Sequence, residues 1–166
     1  MLARLLFLSC LLAASGAVAE PRVAVFDFEL IDTSLDGEMK GTSAEEKARL
    51  AKLAPMLREK LAASSRYIVV DATPVLLRAH AQNLQACGGC DATLAQEVGA
   101  DVAVTGTVQK VSNLILNINV YLRDAKDDRL LQSMSADIRG NTDESWSRGL
   151  DWLIRNRLLA EPAPKQ

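Results

Sequence analysis

The sequence predicts an α/β domain built on one mixed β-sheet of about five strands with helices packed on it. Three observations lead there. Two apolar runs, at 22–30 and 66–72, are each followed by a segment of helical periodicity, so each reads as a strand leading into a crossover. Three later segments alternate apolar and polar residues with a period of two, the pattern of an antiparallel meander with one buried face. An amphipathic segment then ends the pattern. Because each crossover holds a helix, strands one, two and three run parallel and strand four is reversed.

"RVAVFDFEL" (22–30) is apolar at both alternate sets of positions, as a strand covered on both faces requires. A polar loop follows, and Ser43 with Glu46 forms a capping box. The helix it opens carries Leu50, Leu53, Ala54, Leu57 and Leu61 on one face, with Pro55 expected to kink it or mark a restart. "RYIVVDA" is strand two, and "TPVLLRAHAQNLQA" is a helix with Thr73 as cap and Pro74 at its first position. Asp91 is expected to cap a short helix over 92–98 that Gly99 ends. "DVAVTGTVQK", "LILNINVYL" and "SMSADIR" are the meander. Asn141 and Glu144 form a capping-box-like pair that opens the last helix, which runs to about Leu159.

The first nineteen residues carry one Arg, an apolar run and then Ala17-Val18-Ala19, the form of a secretory signal peptide. Cleavage after Ala19 leaves residues 20–160 as a single domain and 161–166 as a frayed tail. "FLSC" offers Cys10 as a lipoprotein acylation site, the less favoured alternative because the apolar region before it is short. Export suggests the bacterial periplasm, where the two remaining cysteines are expected to be oxidised. The formal net charge of −2 gives no reason to expect a nucleic-acid partner, and no later stretch is long and apolar enough to span a membrane.

Cys87 and Cys90 enclose a Gly-Gly pair in "CGGC". As a structural disulfide they close a short loop worth roughly 2 kcal/mol in chain entropy. As a redox pair, Cys87 is the attacking thiol and Cys90 the resolver, with a helix N-terminus to stabilise the thiolate. The motif follows a helix rather than a strand, and Asp91 opposes a thiolate, so the staple is the preferred reading. A metal site would recruit His80, but no fourth ligand is visible, and none is assigned.

"DTSLDG" places Asp32, Ser34 and Asp36 at alternate positions before Gly37, a partial calcium-loop pattern. Its twelfth position is Ser43 where a bidentate Glu is needed, so an acidic solvated loop from Asp32 to Glu38 is expected instead. No cofactor motif and no nucleophile-and-base arrangement is present, which points away from an enzyme.

At 100° per residue Trp146, Gly149, Leu150, Leu153 and Ile154 share the buried face of the last helix. Trp152 lies about 120° away from Trp146. Flanked by Arg148 and Arg155, it has the composition of a binding hot spot.

"VAVFDFEL", "LAPMLREKLAASSRYIVVD" and "LAQEVGADVAVTGTVQKVSN" resemble the α/β domain shared by the amino-terminal part of TolB and by CsgG. The CGGC turn and "ADIRGNTDESWSRGLDWLIRNRL" resemble a family of exported bacterial proteins classed as a domain of unknown function. The resemblance implies the strand order 2-1-3-4-5, leaves strand five with a free edge as a second docking candidate, and implies no activity. The function expected is a periplasmic, non-enzymatic adaptor or assembly factor docking onto an envelope protein or exported enzyme. A thiol-disulfide factor is the alternative, and a small-ligand or metal-ion binding module the third.

Overall fold

The computed structural model describes residues 19–160. The expected signal peptide up to residue 18, with Cys10, and the expected tail from 161 lie outside the described residues. One mixed sheet organises the chain in the order β3-β1-β4-β5-β6, with β2 paired to β4. The strands are β1 (Arg22–Val25), β2 (Glu29–Asp32), β3 (Ile68–Val70), β4 (Val102–Ser112), β5 (Ile115–Asp124) and β6 (Leu130–Arg139). The helices are α1 (Leu35–Lys40), α2 (Ala44–Ala63), α3 (Thr73–His80), α4 (Cys90–Glu97) and α5 (Asp143–Leu153), the last continued by a π-helical turn over Ile154–Leu158.

With β1 and β2 taken as one interrupted strand, this is the predicted order. β1 runs parallel to β3 and β4, and β5 is antiparallel to both β4 and β6. The interruption is a correction to the single strand expected over 22–30. β3 is only three residues long and stops opposite Ala24, whereas β2 resumes against Thr107–Lys110 of β4. Between them Phe26 and Phe28 enter the two separate apolar clusters, and Asp27 bonds to Arg58 and His80.

The larger core holds Val23, Val25, Val104, Val108, Ile118 and Ile138 from the sheet against Leu53, Leu57, Trp146, Leu150 and Leu153 from α2 and α5. A smaller one under α3 and α4 is rich in alanine. α5 approaches β6 closely at Gly149, where any Cβ would collide with Cγ2 of Ile138.

Several local expectations are corrected. The loop at 33–42 contains α1, capped by Ser34, whose hydroxyl accepts the Gly37 N–H. α2 passes through Pro55 without ending. Ala72, not Thr73, is the N-cap of α3, which stops at His80 instead of reaching residue 86. Gly89, not Asp91, caps α4. The capping box of α5 is Thr142 with Ser145, one residue beyond the expected Asn141 and Glu144. β6 begins at Leu130, three residues earlier than the alternation at 133–139 suggested.

Candidate docking site

α5 follows β6 through the turn at Gly140, and Gly149 packs on Ile138, so the helix lies against the last strand of the sheet. Among the described residues β6 is bonded to β5 on one side alone. A groove of about 570 Å³ opens between this free edge and the helix, lined by Asp137, Ile138 and Arg139 from β6, by Arg148 and Trp152 from α5 and by Arg155 from the π-helical turn. A shallower extension of it joins Ser135 and Ala136 to Trp152.

The structure therefore brings together Trp152, Arg148 and Arg155. Trp152 is 44% exposed, whereas Trp146 is buried and donates its indole N–H to Asn141. Arg148 pairs with Glu144 at 3.1 Å and Arg155 with Asp151 at 2.8 Å, both one helical turn apart. The cation over the Trp152 ring is Arg157, 5.9 Å from its centroid, a partner that helical spacing alone did not single out. Exposed pairs of this kind add little stability, about 0.3–0.5 kcal/mol each. Lys60 also reaches Asp151, and together with Arg155 it lowers that carboxyl below its ordinary value.

The CGGC corner is a separate feature. Cys87 and Cys90 are joined in a disulfide with their Cα atoms 5.7 Å apart. Gly88 and Gly89 have φ of 68° and 97°, in the left-handed region that a side chain disfavours. Gly89 also abuts the Asp128 carboxylate, where a Cβ would collide. Asp91 is buried and meets Arg123 at 3.2 Å, and Arg123 in turn holds the carbonyl of Asp128 at 2.8 Å. The disulfide thus fixes a corner that Arg123 ties to the β5–β6 turn. His80 bonds to Asp27 at 2.8 Å instead of joining the cysteines.

Sequence reasoning missed a buried charge cluster at the start of α2. Lys110 lies on the inward face of β4 with its side chain 3% exposed, bonded to Glu46 at 2.6 Å and Asp32 at 3.0 Å. Burial alone would raise the pKa of Glu46. Hydrogen bonds from Lys110, the Ser43 N–H and Asn141, with the Lys110 charge, hold it down at about 2. Asp32 is likewise lowered against its burial, by Ser34 and Lys110, and Lys110 is raised against its own burial by the two carboxylates. The DTSLDG segment is therefore no open acidic loop: Asp32 turns inward, and Asp36 bonds to Lys40 and Asn113. Among the described residues no group of three His, Cys, Asp or Glu side chains is placed to hold a metal ion, and no helix is long and apolar enough to cross a membrane.

Fold and site define a one-sheet α/β module with a free strand edge beside a charged helix. The chain belongs to the family described as "Protein of unknown function (DUF2380)", whose model, DUF3280, matches residues 21–158. Among solved structures it is similar to the LpoB C-terminal domain from Escherichia coli, at 17% identity and a TM-score of 0.51, covering 76% of this chain and 88% of that one. The NMR structure of E. coli LpoB matches at 15% identity and a TM-score of 0.53, covering 76% and 60%. TolB from Acinetobacter baumannii matches at 16% identity over 78% of this chain and 26% of its own, with a TM-score of 0.42 that carries no argument. At these identities the likeness is one of fold. No curated protein matches the chain.

Proposed function

We propose that this chain is a periplasmic, non-enzymatic adaptor or assembly factor that docks onto an envelope protein or an exported enzyme through the α5/β6 groove. Trp152 is the anchor and Arg148 and Arg155 its polar flank. Residues 1–19 direct export, 20–160 form the working domain, and 161–166 are a tail. The observation that carries this reading is the position of Trp152: a half-exposed indole beside an unpaired ten-residue strand edge. A free edge accepts a partner strand through main-chain bonds, and an adjacent aromatic supplies the buried contact that dominates affinity.

The chemistry of the other charge-rich region agrees with an adaptor. Lys110, Glu46 and Asp32 spend their hydrogen bonds on one another and on α2, so they are locked in their charged forms and poorly placed to exchange protons with a substrate. Cys87 and Cys90 serve as a staple at a corner remote in sequence from the groove.

Affinity purification of the tagged protein from its own periplasm, beside Trp152→Ala and Cys90→Ser, tests this. A partner retained by the wild type and by Cys90→Ser, indifferent to reductant and lost from Trp152→Ala, is the expected result. Partners trapped by Cys90→Ser alone and released by reductant would transfer the function to the CGGC corner.

A further inference from the structure

We infer that in the free protein the α5/β6 groove is covered by a second copy of this chain, related by a two-fold axis passing close to Ile138 and Gly149. The inference deepens the docking reading and rests on it for the surface concerned. Self-association then holds the groove closed until another partner displaces the copy.

A two-fold interface must be complementary to itself: if residue i meets residue j, then j meets i. The charges that line the groove from α5 and the π-helical turn after it satisfy this condition. In chain order they are Glu144, Arg148, the half-buried Asp151 and Arg155, alternating in sign; within one chain Arg148 pairs with Glu144 and Arg155 with Asp151, and the second copy offers each an alternative partner. Laid against its own copy end for end, α5 with its π-helical turn places Glu144 opposite Arg155 of the second copy, and Arg148 opposite Asp151 of the second copy. Both pairings share one centre, between Gly149 and Leu150.

The strand is compatible with the same axis. Gly149 rests on Ile138, so a two-fold at the centre of α5 passes near that residue of β6. An antiparallel edge pairing centred on Ile138 sets Asp137 opposite Arg139 of the second copy, twice. Opposite charges directly across a strand pair stabilise it, and like charges there oppose it.

The balance of the groove favours this occupant over a strongly charged one. Its lining contains three basic residues, Arg139, Arg148 and Arg155, and three acidic ones, Asp137, Glu144 and Asp151. The lining charges therefore balance, with Arg157 over the Trp152 ring adding one cation at the rim. Trp152 lies beside Ser135–Asp137 and brings an apolar contact close to the axis. The edge is also only weakly protected against self-pairing: β6 contains no proline and no lysine, and its two charges, Asp137 and Arg139, are of opposite sign.

Charge exchange across the proposed axis is the test, read by light scattering and sedimentation on the purified exported protein. The wild type is expected at twice the single-chain mass in the range of about 10–100 μM. Glu144→Lys alone sets lysine against Arg155 of the second copy, and Arg155→Glu alone sets glutamate against Glu144. Each variant is expected to associate at least tenfold more weakly, with a thermal midpoint that shows it is folded. Mixed in equal amounts, the two variants restore every opposite-charge contact and should return to the double mass. A monomeric wild type, or variants that dimerise undiminished, or folded variants that stay single on mixing, would overturn the second copy. A monomeric wild type that still captures a periplasmic partner through Trp152 sinks the dimer and leaves the docking reading standing. A charge-dependent dimer that captures nothing else sinks the docking reading and leaves the dimer.

Discussion

Lys110, Glu46 and Asp32 are buried, with Lys110 bonded to both carboxylates, whereas Glu144, Arg148 and Arg155 stand in solvent beside a strand edge that has no neighbour among the described residues. Both regions border grooves rich in charge. In the first, every ion reaches its partner inside the fold, and Asn141 links Glu46 to Arg49 and Trp146. In the second, the ion pairs are one-turn helix pairs that contribute little to folding, while backbone groups on β6 remain available. Buried charge here closes the end of the sheet against α2, and exposed charge lines the groove proposed for docking.

The sharpest way to break that contrast is to remove the single cation from the buried cluster. Lys110→Met leaves two carboxylates facing each other without compensation, and should cost about 3–5 kcal/mol in urea unfolding. A loss under about 1 kcal/mol would place the cluster in the same class as the surface pairs.

Acid titration sharpens the same point. Glu46 is depressed from 4.5 to about 2, so its contribution is fully present above the unfolded value and is lost as pH falls from about 4.5 through 2. The expected loss is about 3 kcal/mol. Glu46→Gln should remove this part of the pH dependence, seen as a flatter curve of unfolding free energy against pH. Lys110 is shifted upward, so its share is present below its ordinary value and fades only in strong alkali.

Replacing both Cys87 and Cys90 by serine should cost about 2 kcal/mol and leave partner capture intact, as measured by urea unfolding beside affinity purification. The smallest effect on folding belongs to the exposed flank. Trp152→Ala and Arg148→Ala should each change stability by less than about 0.5–1 kcal/mol, while Trp152→Ala abolishes partner retention. A large stability loss in Trp152→Ala would make that residue part of the fold.

The sheet was legible because its signals are local. The period-two alternation of β4, β5 and β6 follows directly from having one buried face, and the Ser43–Glu46 capping box is complete within four residues. Trp146 and Trp152 were separable by helical angle alone, and the structure buries the first and exposes the second. Lys110 was missed although a signal existed. It continues the inward phase of Val104, Gly106 and Val108, but its partners lie 64 and 78 positions away, and no local rule pairs them. The break between β1 and β2 was hidden for a related reason: it depends on where β3 ends, not on the residues of the break itself. Asp91 looked like a cap because acids suit that position, and its actual partner, Arg123, comes from β5.

The most direct test of the docking face is a photo-crosslinking side chain placed in living cells at Arg148, and separately at Leu77, which is 84% exposed on α3. The account predicts discrete protein adducts from position 148 and none from position 77. Equal labelling from both positions, or adducts from position 77 alone, would contradict the assignment of the α5/β6 groove as the surface through which this protein works.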